Sequence, residues 1–453
     1  MAFVTFVICI AGPLLAAASG SWISVPISGQ ANLTDATETY FNYAPIMVGT
    51  PPQVVDMTIN TYSSLLAAFA EDCTLCAGST FFDQSQSSTF GSSNRTWSAS
   101  SSQLTGSYFE DSVGFGNSLT VDKANFVLIE NMALNMTPHL LNGNLGLFVD
   151  NSNSTEESLS YFSQLWNTGK LLNPVIGMRF YPENPKLTIG ALDPADYEGE
   201  INWVQMETPN ESWDLLNLFK IDGFKGYNGS FFPFGSTDTL TAINSVYNNI
   251  GIPNNFPYLF NDDYTGPITG GKHLMADSPD FAYQCNETIP YVAVTTVING
   301  VDYQIDSTWN LLHPPSGEAF EGGCLVGLQN ITEGREPTIV LGLAFLRSVY
   351  VAYRFPTDNC PGYYGFAFPS GANRTQAQIA QKPTSTPSSS SQCLSLTAPT
   401  STPTFSAGSA TSASGLSSQT YEVYGRPGAA QVPLIGVNDL PKGVWDQPQP
   451  EPE

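Results

Sequence analysis

Apolar positions along the chain come in short runs rich in Val, Ile, Thr, Phe and Tyr, broken every few residues by Gly, Asn, Pro or Asp. That rhythm predicts many short strands and little helix. The clearest hairpin is residues 291–298 and 301–305 around Asn299-Gly300, a dipeptide in which both turn residues tolerate positive φ. Helical spacing is confined to two stretches, 158–168 and 240–250. At the start, an apolar run over 3–18, interrupted at Pro13, ends in small residues and reads as an export signal over 1–20. No later stretch is long and apolar enough to serve as a stable membrane anchor.

Composition sharpens this picture. Of 453 residues, 40 are Asp or Glu and 15 are Lys or Arg, a formal net charge of −25 that argues against a nucleic-acid partner. The chain is 42% hydrophobic and 12% aromatic, enough for a large core divided into more than one packed unit. After Ser370 the composition turns to Ser, Thr, Pro, Ala and Gln. Residues 370–420 are therefore expected to form a disordered stalk, and 421–453 a Pro-rich acidic tail.

Export agrees with nine Asn-x-Ser/Thr acceptors, at Asn32, Asn94, Asn135, Asn153, Asn210, Asn228, Asn286, Asn330 and Asn373. These point to a secreted glycoprotein, extracellular or in a cell wall. Cys9 leaves with the signal, and the remaining Cys73, Cys76, Cys285, Cys324, Cys360 and Cys393 are even in number, as three disulfides in an oxidising compartment require. No metal or cofactor is called for. Cys73-x-x-Cys76 has no second such pair, and His139, His273 and His313 are isolated, so a small structural disulfide loop is the better reading.

Several motifs in order now carry a family resemblance. Gly49-Thr50-Pro51-Pro52-Gln53, a β-patterned run into Asn60-Thr61-Tyr62-Ser63-Ser64, Cys73-x-x-Cys76, Phe82-Asp83-Gln84-Ser85 and Ser87-Ser88-Thr89-Phe90 resemble the N-terminal half of a pepsin-like (A1) aspartic protease of the secreted, fungal type. Gly143-Asn144-Leu145-Gly146-Leu147, Lys186-Leu187-Thr188-Ile189-Gly190 and 193–199 continue the likeness. Ile339-Val340-Leu341-Gly342, Phe345-Leu346-Arg347 and Tyr350-Val351-Ala352-Tyr353 resemble the family's closing strands. The resemblance implies an all-β, bilobal fold around a central cleft. It divides the chain into an N-terminal segment over 21–39, an N-terminal lobe over 40–205 and a C-terminal lobe over 206–369. It also implies pairing of Cys73 with Cys76 and of Cys285 with Cys324, leaving Cys360 to Cys393.

In that family one Asp from each lobe shares a proton with the other, and the pair activates a water. The first motif, normally Asp-Thr-Gly-Ser-Ser, here begins with Asn60 and has Tyr62 in place of Gly. An amide cannot be a general base. The second motif aligns best with Gly235-Ser236-Thr237-Asp238, after the apolar run Phe231, Phe232 and Phe234, which puts Gly235 at the catalytic position. A rival register starts at Asp238, the fallback acid of a residual endopeptidase. The cleft is then expected to involve Tyr62, Ser63, Trp97, Ser98, Ser236 and Thr237, with the family's flap tyrosine falling near Ser98. No Lys or Arg precedes Arg95, so no basic propeptide is available to mask a dyad. The implied protein is a monomeric pseudoprotease holding a peptide or a secreted protein. A wall or matrix glycoprotein is the alternative of another class. Because Asn is nearly isosteric with Asp, Asn60→Asp is expected to fold.

Overall fold

The computed structural model describes residues 20–32, 39–74, 76, 80–99, 104–116, 119–132, 143–149, 160–207, 217–226, 229–234, 240–253, 280–284, 294–305, 312–313, 323–331, 339–387, 390–399 and 405. These are mostly strand, and they build two lobes on a shared sheet, an all-β bilobal fold. The shared sheet has six strands in the order Ile23–Pro26, Lys186–Ile189, Val175–Arg179, Tyr350–Arg354, Tyr363–Pro369 and Tyr197–Gln205. Val175–Arg179, Tyr350–Arg354 and Tyr363–Pro369 are buried from end to end, because both faces of this sheet are covered.

The first lobe is an eight-stranded sheet and the second a six-stranded and a four-stranded sheet. Each lobe contains the same crossing. In the first, Gln53–Asn60 runs parallel to Gly143–Gly146, which pairs antiparallel with Leu66–Thr74, itself parallel to Leu119–Met132. In the second, Thr241–Ile243 runs parallel to Ile339–Leu341, which pairs antiparallel with Ile250–Pro253, itself parallel to Gly323–Ile331. The registers correspond as well. Leu66 faces Leu145, and Ile250 faces Leu341. After each pair comes a glycine whose N–H donates to the loop opposite, Gly146 to Leu65 O (2.9 Å) and Gly342 to Asn249 O (3.1 Å). A Cβ on Gly146 would collide with the Ser63 carbonyl, and one on Gly342 with the Tyr247 carbonyl, so both positions need glycine.

Local signals decide several elements. Ser160 caps the helix Tyr161–Asn167 by accepting from Ser163 N, and Tyr161, Phe162 and Leu165 bury its inner face. The Tyr161 hydroxyl lies 3.0 Å from the carbonyls of both Val113 and Leu119, so its burial leaves no orphaned polar atom. Asn299 (φ 48°) and Gly300 (φ 78°) turn the hairpin between Thr295–Ile298 and Val301–Gln304.

Two expectations are corrected. Residues 240–250 are not a helix but a strand, a turn and the start of another strand. Thr241 exchanges backbone hydrogen bonds with Phe219, and Ala242 and Ile243 pair with Val340 and Leu341, so inter-strand pairing overrides the local periodicity. Nor do residues 371–387 and 390–399 behave as a free stalk. Thr375 caps the helix Gln376–Ile379 in a capping box. Asn299 binds Thr384 and Ser385, and the Asp302 N–H donates to Gln381. Cys360 is bonded to Cys393, Arg354 Nε donates to Cys393 O, and Asn173 and Thr397 are doubly hydrogen-bonded. Leu396 packs on a cluster formed by Leu192 with Val175, Tyr350, Ala352 and Ala367 of the shared sheet, and Phe405 N reaches Ser24 O. A Ser- and Pro-rich composition thus conceals a few apolar anchors and many hydrogen-bonding groups placed against the sheet. Residues 406–453 lie outside the described residues, as does the 1–19 part of the export-signal segment.

Candidate functional site

The two crossings meet at their turns. Gln53–Asn60 delivers Asn60-Thr61-Tyr62, and Thr241–Ile243 delivers Asn244-Ser245-Val246. Thr61 N–H donates to Ser245 Oγ (3.0 Å), and Ser245 N–H donates to Thr61 Oγ1 (2.8 Å). Each hydroxyl donates onward to the strand feeding the other loop, Thr61 Oγ1 to Ile243 O (3.0 Å) and Ser245 Oγ to Ile59 O (2.7 Å). Thr61 is 6% exposed and Ser245 1%, so these four bonds exchange no partner with water.

Asn60 is flanked by two residues that touch the second loop, and Asn244 by two that touch the first. Each asparagine also makes the same turn, with Asn60 Oδ1 accepting from Tyr62 N (2.9 Å) and Asn244 Oδ1 from Val246 N (3.0 Å). The first loop carries a further lock. Asn60 Nδ2 donates to Asn144 Oδ1 (2.9 Å), while Asn144 Nδ2 donates to Leu65 O (2.5 Å) and Ser63 Oγ (3.3 Å).

The sequence reading put Gly235 opposite Asn60. What faces the Asn60 loop is instead Asn244-Ser245-Val246, and Gly235, Ser236, Thr237 and Asp238 lie outside the described residues. Phe231–Pro233 is an edge strand of the four-stranded sheet, with Phe231 exposed, rather than the strand entering the site. A signal for the second loop was present in the chain: Thr58-Ile59-Asn60-Thr61 is echoed by Ala242-Ile243-Asn244-Ser245. Each Asn stands six residues before an apolar residue, Leu66 or Ile250, that faces a leucine on the central strand of its crossing.

Tyr62 and Ser63 are at the centre with Asn60. Burial pushes the Tyr62 phenol up from its ordinary 10.0. Trp97 and Ser98 are on Gly91–Ala99, which forms a hairpin with Leu104–Phe115. Trp97 is half-buried against Ala67, Phe69, Leu104, Val127, Ile129 and Met132, whereas Ser98 is exposed. Cys73 is bonded to Cys76. Cys285 lies outside the described residues, and Cys324 is on Gly323–Ile331. Among the acceptor asparagines, Asn373 is exposed, Asn32, Asn94 and Asn330 are on strands, and Asn135, Asn153, Asn210, Asn228 and Asn286 lie outside the described residues.

Comparison with known families agrees with this architecture. The model of the eukaryotic aspartyl proteases matches residues 40–360. The chain belongs to the eukaryotic aspartyl protease family. Pregnancy-associated glycoprotein 1 of Bos taurus is 26% identical over 330 residues, 68% of this chain and 77% of that protein. Rhizopuspepsin of Rhizopus chinensis is 23% identical over 333 residues, 72% and 78% of the two chains. Gastricsin of Cavia porcellus is 25% identical over 335 residues, 69% and 77%. The paired loops, residues 58–65 and 242–249, contain no Asp or Glu. Two carboxamides can donate and accept hydrogen bonds, but neither can take a proton from water.

Proposed function

We propose that this aspartyl protease homologue is non-catalytic and uses its cleft to hold a peptide or a segment of another secreted protein. One observation supports the reading: the loops joined through Thr61 and Ser245 bear Asn60 and Asn244 where the family's motif has its two acids. Removing a single positioned acid–base group costs on the order of 10² to 10⁴ in rate, and here both members of a unit that works as one are replaced. Asp238 is a poor substitute, because it precedes the strand Thr241–Ile243 that enters the loop.

The nine acceptor asparagines and the apolar leader support a location outside the cell, with a cell wall as one such location. No helix among the described residues is long and apolar enough to cross a membrane. Purified protein is expected to leave denatured substrates uncut from about pH 3 to 6, while an immobilised peptide library retains a binding subset. Cleavage abolished by an aspartic-protease transition-state analogue overturns the proposal.

A further inference from the structure

At the centre of the site, hydrogen-bond capacity is unevenly used. Asn60 Oδ1 is engaged by Tyr62 N and one Nδ2 proton by Asn144, leaving one N–H. Both Nδ2 protons of Asn144 are spent on Leu65 O and Ser63 Oγ. Ser63 Oγ accepts from Leu65 N and from Asn144 Nδ2, which leaves its own O–H to donate. Asn244 uses Oδ1 on Val246 N, and its Nδ2 makes no hydrogen bond among the described residues. The meeting point of the lobes thus offers mainly donors, where a carboxylate pair offers acceptors. Asn60, Ser63 and Asn244, which carry these donors, are all half-buried rather than sealed in the core.

The acceptor such a site takes is uncharged. Neither 53–66 nor 240–250 contains Lys or Arg, and the chain carries −25, so nothing there repays the desolvation of an anion. A backbone carbonyl is a strong neutral acceptor and is the one acceptor that every peptide repeats. We infer that the carboxamides of Asn60 and Asn244 hold the carbonyl oxygen of an intact peptide bond, one from each lobe, in the place where an active relative would hold its attacking water. The inference rests on the peptide-binding reading above and adds which atom of the peptide is read and by which donors.

A terminally blocked octapeptide with a Leu-Leu centre allows a test from the ligand side by calorimetry. Two isosteres replace its central bond: a ketomethylene, which keeps the carbonyl and drops the N–H, and an E-alkene, which drops both. The ketomethylene is expected to bind like the parent, and the alkene about ten- to a hundredfold more weakly, the contribution of two neutral hydrogen bonds. Asn244→Leu is expected to weaken the parent and to reduce the difference between the isosteres to that of the one hydrogen bond from Asn60, about five- to tenfold. The ligand comparison needs no variant, so misfolding of Asn244→Leu does not remove the test. If ketomethylene and alkene bind equally while the parent binds, the carbonyl is not read and this inference falls, with the peptide-binding reading intact. If neither the parent nor any member of the library binds, both fall.

Discussion

The contact between Asn60 and Asn144 makes Asn60→Asp a sharp test of how this site is built. Near-isostery suggests a harmless change, but the structure predicts otherwise. Asn60 Nδ2 donates over 2.9 Å to Asn144 Oδ1, and Asn144 is 1% exposed. A carboxylate there would set oxygen against oxygen. Asn144 can rotate its amide to offer Nδ2, but Oδ1 would then face Leu65 O, left with the Gly146 N–H as its donor, and Ser63 Oγ, which would have to reorient. Either way at least one buried group loses its partner, a cost of about 1–3 kcal/mol.

The cost also depends on pH, with a definite sign. The protonated acid restores a donor to Asn144, so the new group's folded pKa lies above its unfolded value of about 3.9. Stability is then retained below that value and is lost as pH rises through the folded pKa. Urea unfolding followed by tryptophan fluorescence is expected to show Asn60→Asp near wild type at about pH 3 and destabilised by roughly 1–3 kcal/mol at pH 7. Asn144→Leu should remove the conflict, so that in its background Asn60→Asp costs less. Equal midpoints for wild type and Asn60→Asp at both pH values would refute the lock.

Thr61→Ala deprives Ser245 N and Ile243 O of their partners in a buried place, and should cost roughly 2–4 kcal/mol in the same assay. With Ser245→Ala added, the total should fall short of the sum of the single effects. Replacing Cys360 and Cys393 together by Ser opens a bridge with a sequence separation of 33, and should lower stability by about 3–4 kcal/mol on the loop-entropy estimate while making 376–399 the first segment cut by a protease. Burial raises the Asp56 carboxyl above its ordinary 3.8, so its ionisation in the fold costs stability as pH climbs from there. Asp56→Asn should therefore raise Tm at pH 7 more than at pH 3, and an equal shift at both pH values would contradict that sign.

Much of this protein is local and can be read from the chain. Alternating apolar runs specify strands, Asn299-Gly300 specifies its turn because both residues accept positive φ, and Ser160 specifies a helix start because its hydroxyl can satisfy an exposed N–H. The order of Gly49 to Gln53, Cys73-x-x-Cys76 and 339–342 carries the family, and Asn60 in the first motif carries the proposed loss of an acid. What sequence could not supply was the identity of its partner. Residues 240–250 have helical spacing, yet they become a strand and a turn because Ala242 and Ile243 find Val340 and Leu341, almost a hundred residues away. Likewise Asn144 looks like an ordinary polar residue in a glycine-rich strand until register brings it to Asn60. The segment after Ser370 has the composition of a free tail, but Leu396 and the Cys360–Cys393 bridge dock it on a sheet whose strands are scattered along the chain. Short-range propensities depend on neighbours in sequence and are written there. The centre of this site consists of pairings between residues 84 and 184 positions apart; strand register inside the first lobe chooses the one, and the meeting of the two lobes the other.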